Sequence, residues 1–114
     1  MRAILLSLAM IGSASASEAP SARVSVLSTG EVLLNGKRSD LIRLDGEFSR
    51  LSKSQGIVWY YREAPTEEPS PQAMSVVEDI LDLIDKHRLP LSLSTKPDFS
   101  DYLGPDGIPH PREP

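Results

Sequence analysis

The stretch from Ser70 to Thr95 constrains the fold more than any other part of this chain. Val77, Ile80, Leu81 and Ile84 recur at i, i+3, i+4 and i+7, and Ala73, Met74 and Val76 widen the apolar stripe, so Pro71–Arg88 is expected to be an amphipathic helix. Ser70 is a favoured N-cap, and Pro71 suits the first helical position because its missing N–H would be unpaired there. Lys86, His87 and Arg88 fall in the last turn, where positive charge complements the helix dipole. Lys86 also stands four residues after Asp82, a favourable spacing for an ion pair. Pro90 forbids continuation of the helix. Leu89, Leu91 and Leu93 then alternate with Pro90, Ser92 and Ser94, which describes a one-sided strand, and the proline marks it as a sheet edge.

Upstream, the period is that of strands. Arg23–Thr29 alternates Val24 and Val26 with Ser25 and Leu27, and Glu31–Asn35 repeats the pattern with Val32 and Leu34. Thr29-Gly30-Glu31 is the turn between them, so the two strands are expected to form a hairpin. Asn35-Gly36 ends the second strand, because both residues tolerate the positive φ of tight turns. From Asp40 to Lys53, Leu41, Leu44, Phe48 and Leu51 fall on one helical face, and Ser39 or Asp40 can cap the start. Gly46 costs a helix interior about 1 kcal/mol relative to Ala, which leaves Asp45 as an alternative start. Gly56–Arg62 (GIVWYYR) is the most β-prone segment, and the prolines of Glu63–Pro71 make that span a loop.

The ends differ in character. Met1-Arg2, the apolar run Ala3–Gly12 and the small residues Ser13–Ala16 have the layout of a secretory signal peptide cleaved after Ala16. The apolar run is about half the roughly 20 residues a spanning helix needs, so no stable membrane span is expected. An alternative keeps residues 3–16 as an anchor. Residues 17–22 read as a flexible lead-in and 23–103 as one domain. Residues 104–114, with four prolines and two glycines, read as a disordered or extended tail. Lys96–Leu103 retains Phe99 and Tyr102 and so can dock on the domain. The 12 basic and 16 acidic side chains give a net charge of −4, and cleavage would remove Arg2 as well. An acidic chain without a Lys/Arg stripe is not expected to bind nucleic acid or anionic lipid. The absence of cysteine rules out disulfide staples, so the hydrophobic core must suffice.

The element order is thus strand, strand, helix, strand, helix, strand, an α+β domain with a four-stranded mixed sheet and both helices on one face. With "GEVLLNGK" (30–37), "IVWYY" (57–61) and "VVEDILDLIDKHRLPLSLST" (76–95) in that order, the stretch 24–95 resembles the periplasmic domain of the ExbD/TolR family of biopolymer transport proteins. The resemblance implies a periplasmic α+β module that serves an envelope transport or energy-coupling complex. It does not extend to that family's acidic transmembrane helix, for which this chain has no matching residue.

Little in the sequence points to catalysis. There is no cysteine and no Gly-x-Ser-x-Gly; His87 sits at a helix end and His110 in the proline-rich tail. Asp98, Asp101 and Asp106 match no calcium loop, and the two histidines form no helical pair for zinc. The expectation is a non-enzyme with no cofactor and no metal. The aromatic strand is the candidate site. Ile57, Trp59 and Tyr61 share one face, and Val58 and Tyr60 the other. Either both sets are core, with the C-terminal segment folded back, or one is an exposed patch for self-association or a partner. The candidate contact residues are Trp59, Tyr60, Tyr61, Phe99 and Tyr102. The functional expectation is an exported, homodimeric protein-interaction module, periplasmic or secreted. The alternatives are a small exported enzyme or enzyme inhibitor using the acidic Glu63–Glu68 loop, and a membrane-anchored transport subunit.

Overall fold

The computed structural model describes residues 20–64 and 68–112. The expected signal peptide, and all but the end of the lead-in, lie outside these residues. The chain is α+β: β1 (Ser21–Val26), β2 (Val32–Leu34), β3 (Lys37–Ser39), α1 (Leu41–Lys53), β4 (Ile57–Arg62), α2 (Pro71–Lys86), β5 (Leu91–Leu93), β6 (Asp101–Leu103) and β7 (Pro109–Pro111). The first five strands to meet form one mixed sheet in the order β3-β2-β1-β4-β5, and β6 and β7 pair separately. β1, β2 and β3 are an antiparallel meander, while β4 runs parallel to β1 and β5 parallel to β4.

Three expectations are corrected. The sheet has five strands rather than four, because Asn35 and Gly36 (φ 53° and 85°) do more than end β2. They form the tight turn that returns the chain as β3, a positive-φ pair of the kind that suits the twist of a hairpin. The domain also begins earlier than residue 23, since Ser21 and Ala22 already pair with Ile57 and Val58. The tail is not disordered as far as it is described: β7 pairs with β6 through Asp101–Pro111, Tyr102–His110 and Leu103–Pro109.

Local chemistry sets the helix ends. The Asp40 carboxylate accepts from the Arg43 amide at 2.9 Å, so α1 starts at Leu41 rather than Asp45, and Gly46 lies on its exposed side. Ser70 caps α2 by accepting from the Ala73 amide at 3.1 Å, and its hydroxyl donates to the Ser28 carbonyl at 2.8 Å, tying the helix start to the β1–β2 turn. Lys86 is held by Asp45 of α1 at 3.1 Å, where sequence spacing favoured Asp82.

Both helices bury their stripes against the same sheet face. Leu44, Phe48 and Leu51 of α1 join Ala73, Ile80 and Ile84 of α2 over Ala22, Val24, Val26, Val32, Val58 and Tyr60. Residues directly paired across strands share a face, so Arg23, Trp59 and Ser92 stand in a row on the opposite side, with Tyr61 one step along.

Candidate functional site

The face without helices is covered by the chain's own C-terminus. Phe99, 7% exposed, lies with its ring centroid 6.4 Å from both Trp59 and Tyr61. The Arg112 guanidinium sits 4.0 Å above the Trp59 ring, and that of Arg23 approaches the same ring at 4.9 Å. Because Arg23 and Ser92 flank Trp59 in the strand register, the indole is held between a cation on the β1 side and one on the β5 side. Arg112 donates to the Phe99 carbonyl (2.9 Å), Ser92 Oγ (3.1 Å) and Ser94 Oγ (2.9 Å). Burial lowers the Arg112 pKa; Asp101 opposes this and the like charge of Arg23 adds to it.

Asp101, 3% exposed, fixes the base of the hairpin. Its Oδ1 accepts from the Thr95 amide at 2.9 Å, its Oδ2 accepts from the Thr95 hydroxyl, and its carbonyl accepts from Ser94 Oγ at 2.9 Å. Burial alone would raise its pKa, but these bonds to Thr95 outweigh it and hold the carboxyl below the usual range.

The five sequence candidates therefore separate. Trp59, Tyr61 and Phe99 are brought together in one aromatic cluster on the sheet face opposite the helices. Tyr60 points the other way into the helix-side core, its hydroxyl buried without a partner and its pKa raised by that burial. Tyr102 is on the outside of the hairpin, stacked on His110 at 5.4 Å. Sequence reasoning missed Arg23 and Arg112. The period-2 register could have placed Arg23 beside Trp59, but nothing in the sequence positions Arg112.

The histidines are held by carboxylates. His87 Nε2 is 2.6 Å from Asp45 Oδ1, and bonds from His87 and then Lys86 lower the Asp45 pKa, so this trio clamps the end of α2 to α1. His110 Nε2 is 3.0 Å from Asp106 Oδ2 within the hairpin. Among the described residues there is no group of three or more side chains that could hold a metal ion, and no helix is long and apolar enough to cross a membrane.

The two sheet edges differ. β3 presents Lys37 and Arg38, the latter paired with Glu31 at 2.9 Å. A groove of about 450 Å³ beside it is lined by Val32, Leu41, Val76 and the 84%-exposed Ile42. β5 carries no charge, and Leu91 and Leu93 are each 38% exposed. The Pro90 carbonyl accepts from the Val58 amide, and the Ser94 amide donates to the Tyr60 carbonyl. The peptide groups of Leu91 and Leu93 therefore point to the side of β5 that has no neighbouring strand in the sheet. No protein-family model matches the chain, and no curated protein does.

Proposed function

We propose that this chain is a non-catalytic, exported protein-interaction module of the kind represented by ExbD/TolR periplasmic domains, and that it self-associates through β5. The observation that carries this reading is the open, uncharged edge of β5 with its two half-exposed leucines. Charged residues blunt the opposite edge, as is usual where pairing with another chain is disfavoured. Two copies of β5 related by a two-fold axis at Ser92 would pair antiparallel, Leu91 opposite Leu93, and extend the sheet across both copies. The strand, strand, helix, strand, helix, strand order runs through the chain with β3 inserted and β6 and β7 appended. In this reading the leader is removed near Ala16, and the product is periplasmic or secreted, serving a protein partner in an envelope transport complex.

Light scattering tests the association. The chain should be a dimer at high micromolar concentration, and Leu93→Lys should make it a monomer with its melting temperature little changed. A wild-type monomer under those conditions refutes the β5 interface. Mass spectrometry of the exported protein should find Ser17 as its first residue.

A further inference from the structure

The β6–β7 hairpin resembles a ligand seated on the sheet more than a part of the core. Its strands bury only Asp101; Tyr102, Leu103, Ile108 and Pro109 are exposed. A two-stranded hairpin is marginal by itself, so its order derives from what holds it to the body. Phe99 and Asp101 hold its start, and Arg112 holds its end.

Two features weaken that hold. Phe99 has φ 58°, a left-handed conformation that is strained for a bulky side chain. Arg112 is half-buried and shares the Trp59 ring with a second guanidinium, that of Arg23. Strain, desolvation and like charge thus oppose the attraction that holds the hairpin to the sheet. A cleft of about 380 Å³ between Arg23, Asn35, Pro97 and Phe99 already opens at its edge.

We propose that residues 96–112 are a displaceable strap, and that the face beneath it, built on Trp59 and Tyr61 with the Ser92 and Ser94 hydroxyls, binds an extended peptide segment carrying an aromatic residue and an arginine. The strap shows the chemistry this face accepts. An aromatic side chain fills the angle between the Trp59 and Tyr61 rings, and a planar guanidinium stacks on the indole while donating to two hydroxyls. Lysine would stack less well, and its single ammonium lacks the planar fork that here serves the Phe99 carbonyl from Nε and the serines from Nη2. The inference rests on reading the chain as an interaction module, but it uses a different surface from the β5 edge.

Trp59 is the chain's one tryptophan, so its fluorescence reports on this face alone. The experiment uses the full chain carrying Leu93→Lys, so that β5 association plays no part, with and without Arg112→Gln. Acrylamide quenching of Trp59 is measured beside far-UV circular dichroism. Binding of a fluorescein-labelled synthetic peptide of residues 96–112 is followed by anisotropy. A strap closed in about nine molecules in ten hides the site about tenfold, so Arg112→Gln should raise quenching severalfold at unchanged helicity and tighten peptide binding about tenfold. An Asp101→Ala variant, which loosens the strap at Thr95 and leaves the face beneath it unaltered, should act in the same direction, and it keeps the test open if Arg112→Gln fails to fold. Unchanged quenching in these variants, or peptide binding no tighter than to the parent, overturns the proposal. A wild-type chain that never dimerises, with the peptide results as expected, refutes only the β5 interface.

Discussion

The two faces of the sheet are covered in opposite ways. On one, α1 and α2 bring six buried apolar side chains onto the strands, and the packing is continuous from Leu44 to Ile84. On the other, one phenylalanine and one arginine cover the aromatic row, fixed by hydrogen bonds to serine hydroxyls and a carbonyl. Apolar burial by helices is cooperative with the whole fold, so breaching it means global unfolding. A cover held at two points can open with the sheet beneath it intact. One surface therefore sets stability, and the other is available for recognition.

The sharpest way to break this contrast is to make the same substitution on each face. Phe48→Ala should lower the unfolding free energy in urea by about 3–5 kcal/mol, as large-to-small changes in a closed core do. Phe99→Ala should cost no more than about 1.4 kcal/mol, the tenfold closing preference assigned to the strap, because the strap opens before the sheet does. Equal costs would mean that the hairpin is core. A smaller effect concerns Tyr60. Its buried hydroxyl has no partner, so Tyr60→Phe should raise stability by about 1 kcal/mol and leave association and peptide binding unchanged. Lost association would instead restore Tyr60 as a contact residue.

The smallest expected effect is that of acid. Asp101 has a folded pKa below its unfolded value, so its contribution is complete above an unfolded pKa of about 3.9 and is lost as pH falls through the folded value. As pH falls below that unfolded value, Trp59 quenching should therefore rise while the circular dichroism of the helices holds. Asp101→Asn should remove that dependence. The Asp45 carboxyl, lowered by His87 and Lys86, is lost in the same direction but loosens the helix side, which Trp59 does not report.

Much of the helix-side architecture could be read from spacing. The i, i+3, i+4 apolar pattern, the Ser70 cap, Pro71 and the alternating valines all act locally, and each element formed close to where it was expected. β3 was missed because Lys37-Arg38-Ser39 has no apolar alternation, although Asn35-Gly36 is a strong hairpin signal. The aromatics of Lys96–Leu103 do mark that segment for docking on the domain, but the β6–β7 pairing is not legible because prolines discourage ladder pairing. Pro109 and Pro111 nevertheless flank His110 in β7, a strand of a two-stranded hairpin in which both strands are edges. The alternation of the aromatic strand marks Trp59 and Tyr61 as candidates, and the aromatics of Lys96–Leu103 mark Phe99, without their cationic neighbours.

The sequence by itself determined the two amphipathic helices, their caps, the β1–β2 turn and the aromatic character of β4, because these depend on residues within a few positions of one another. Only the tertiary structure decided which aromatic residues face the helices, that Arg112 returns to stack on Trp59, and that β5 ends the sheet with its leucines half-exposed. Arg112 and Trp59 are more than fifty residues apart, and a contact at that separation depends on how the whole chain packs, which no local pattern encodes.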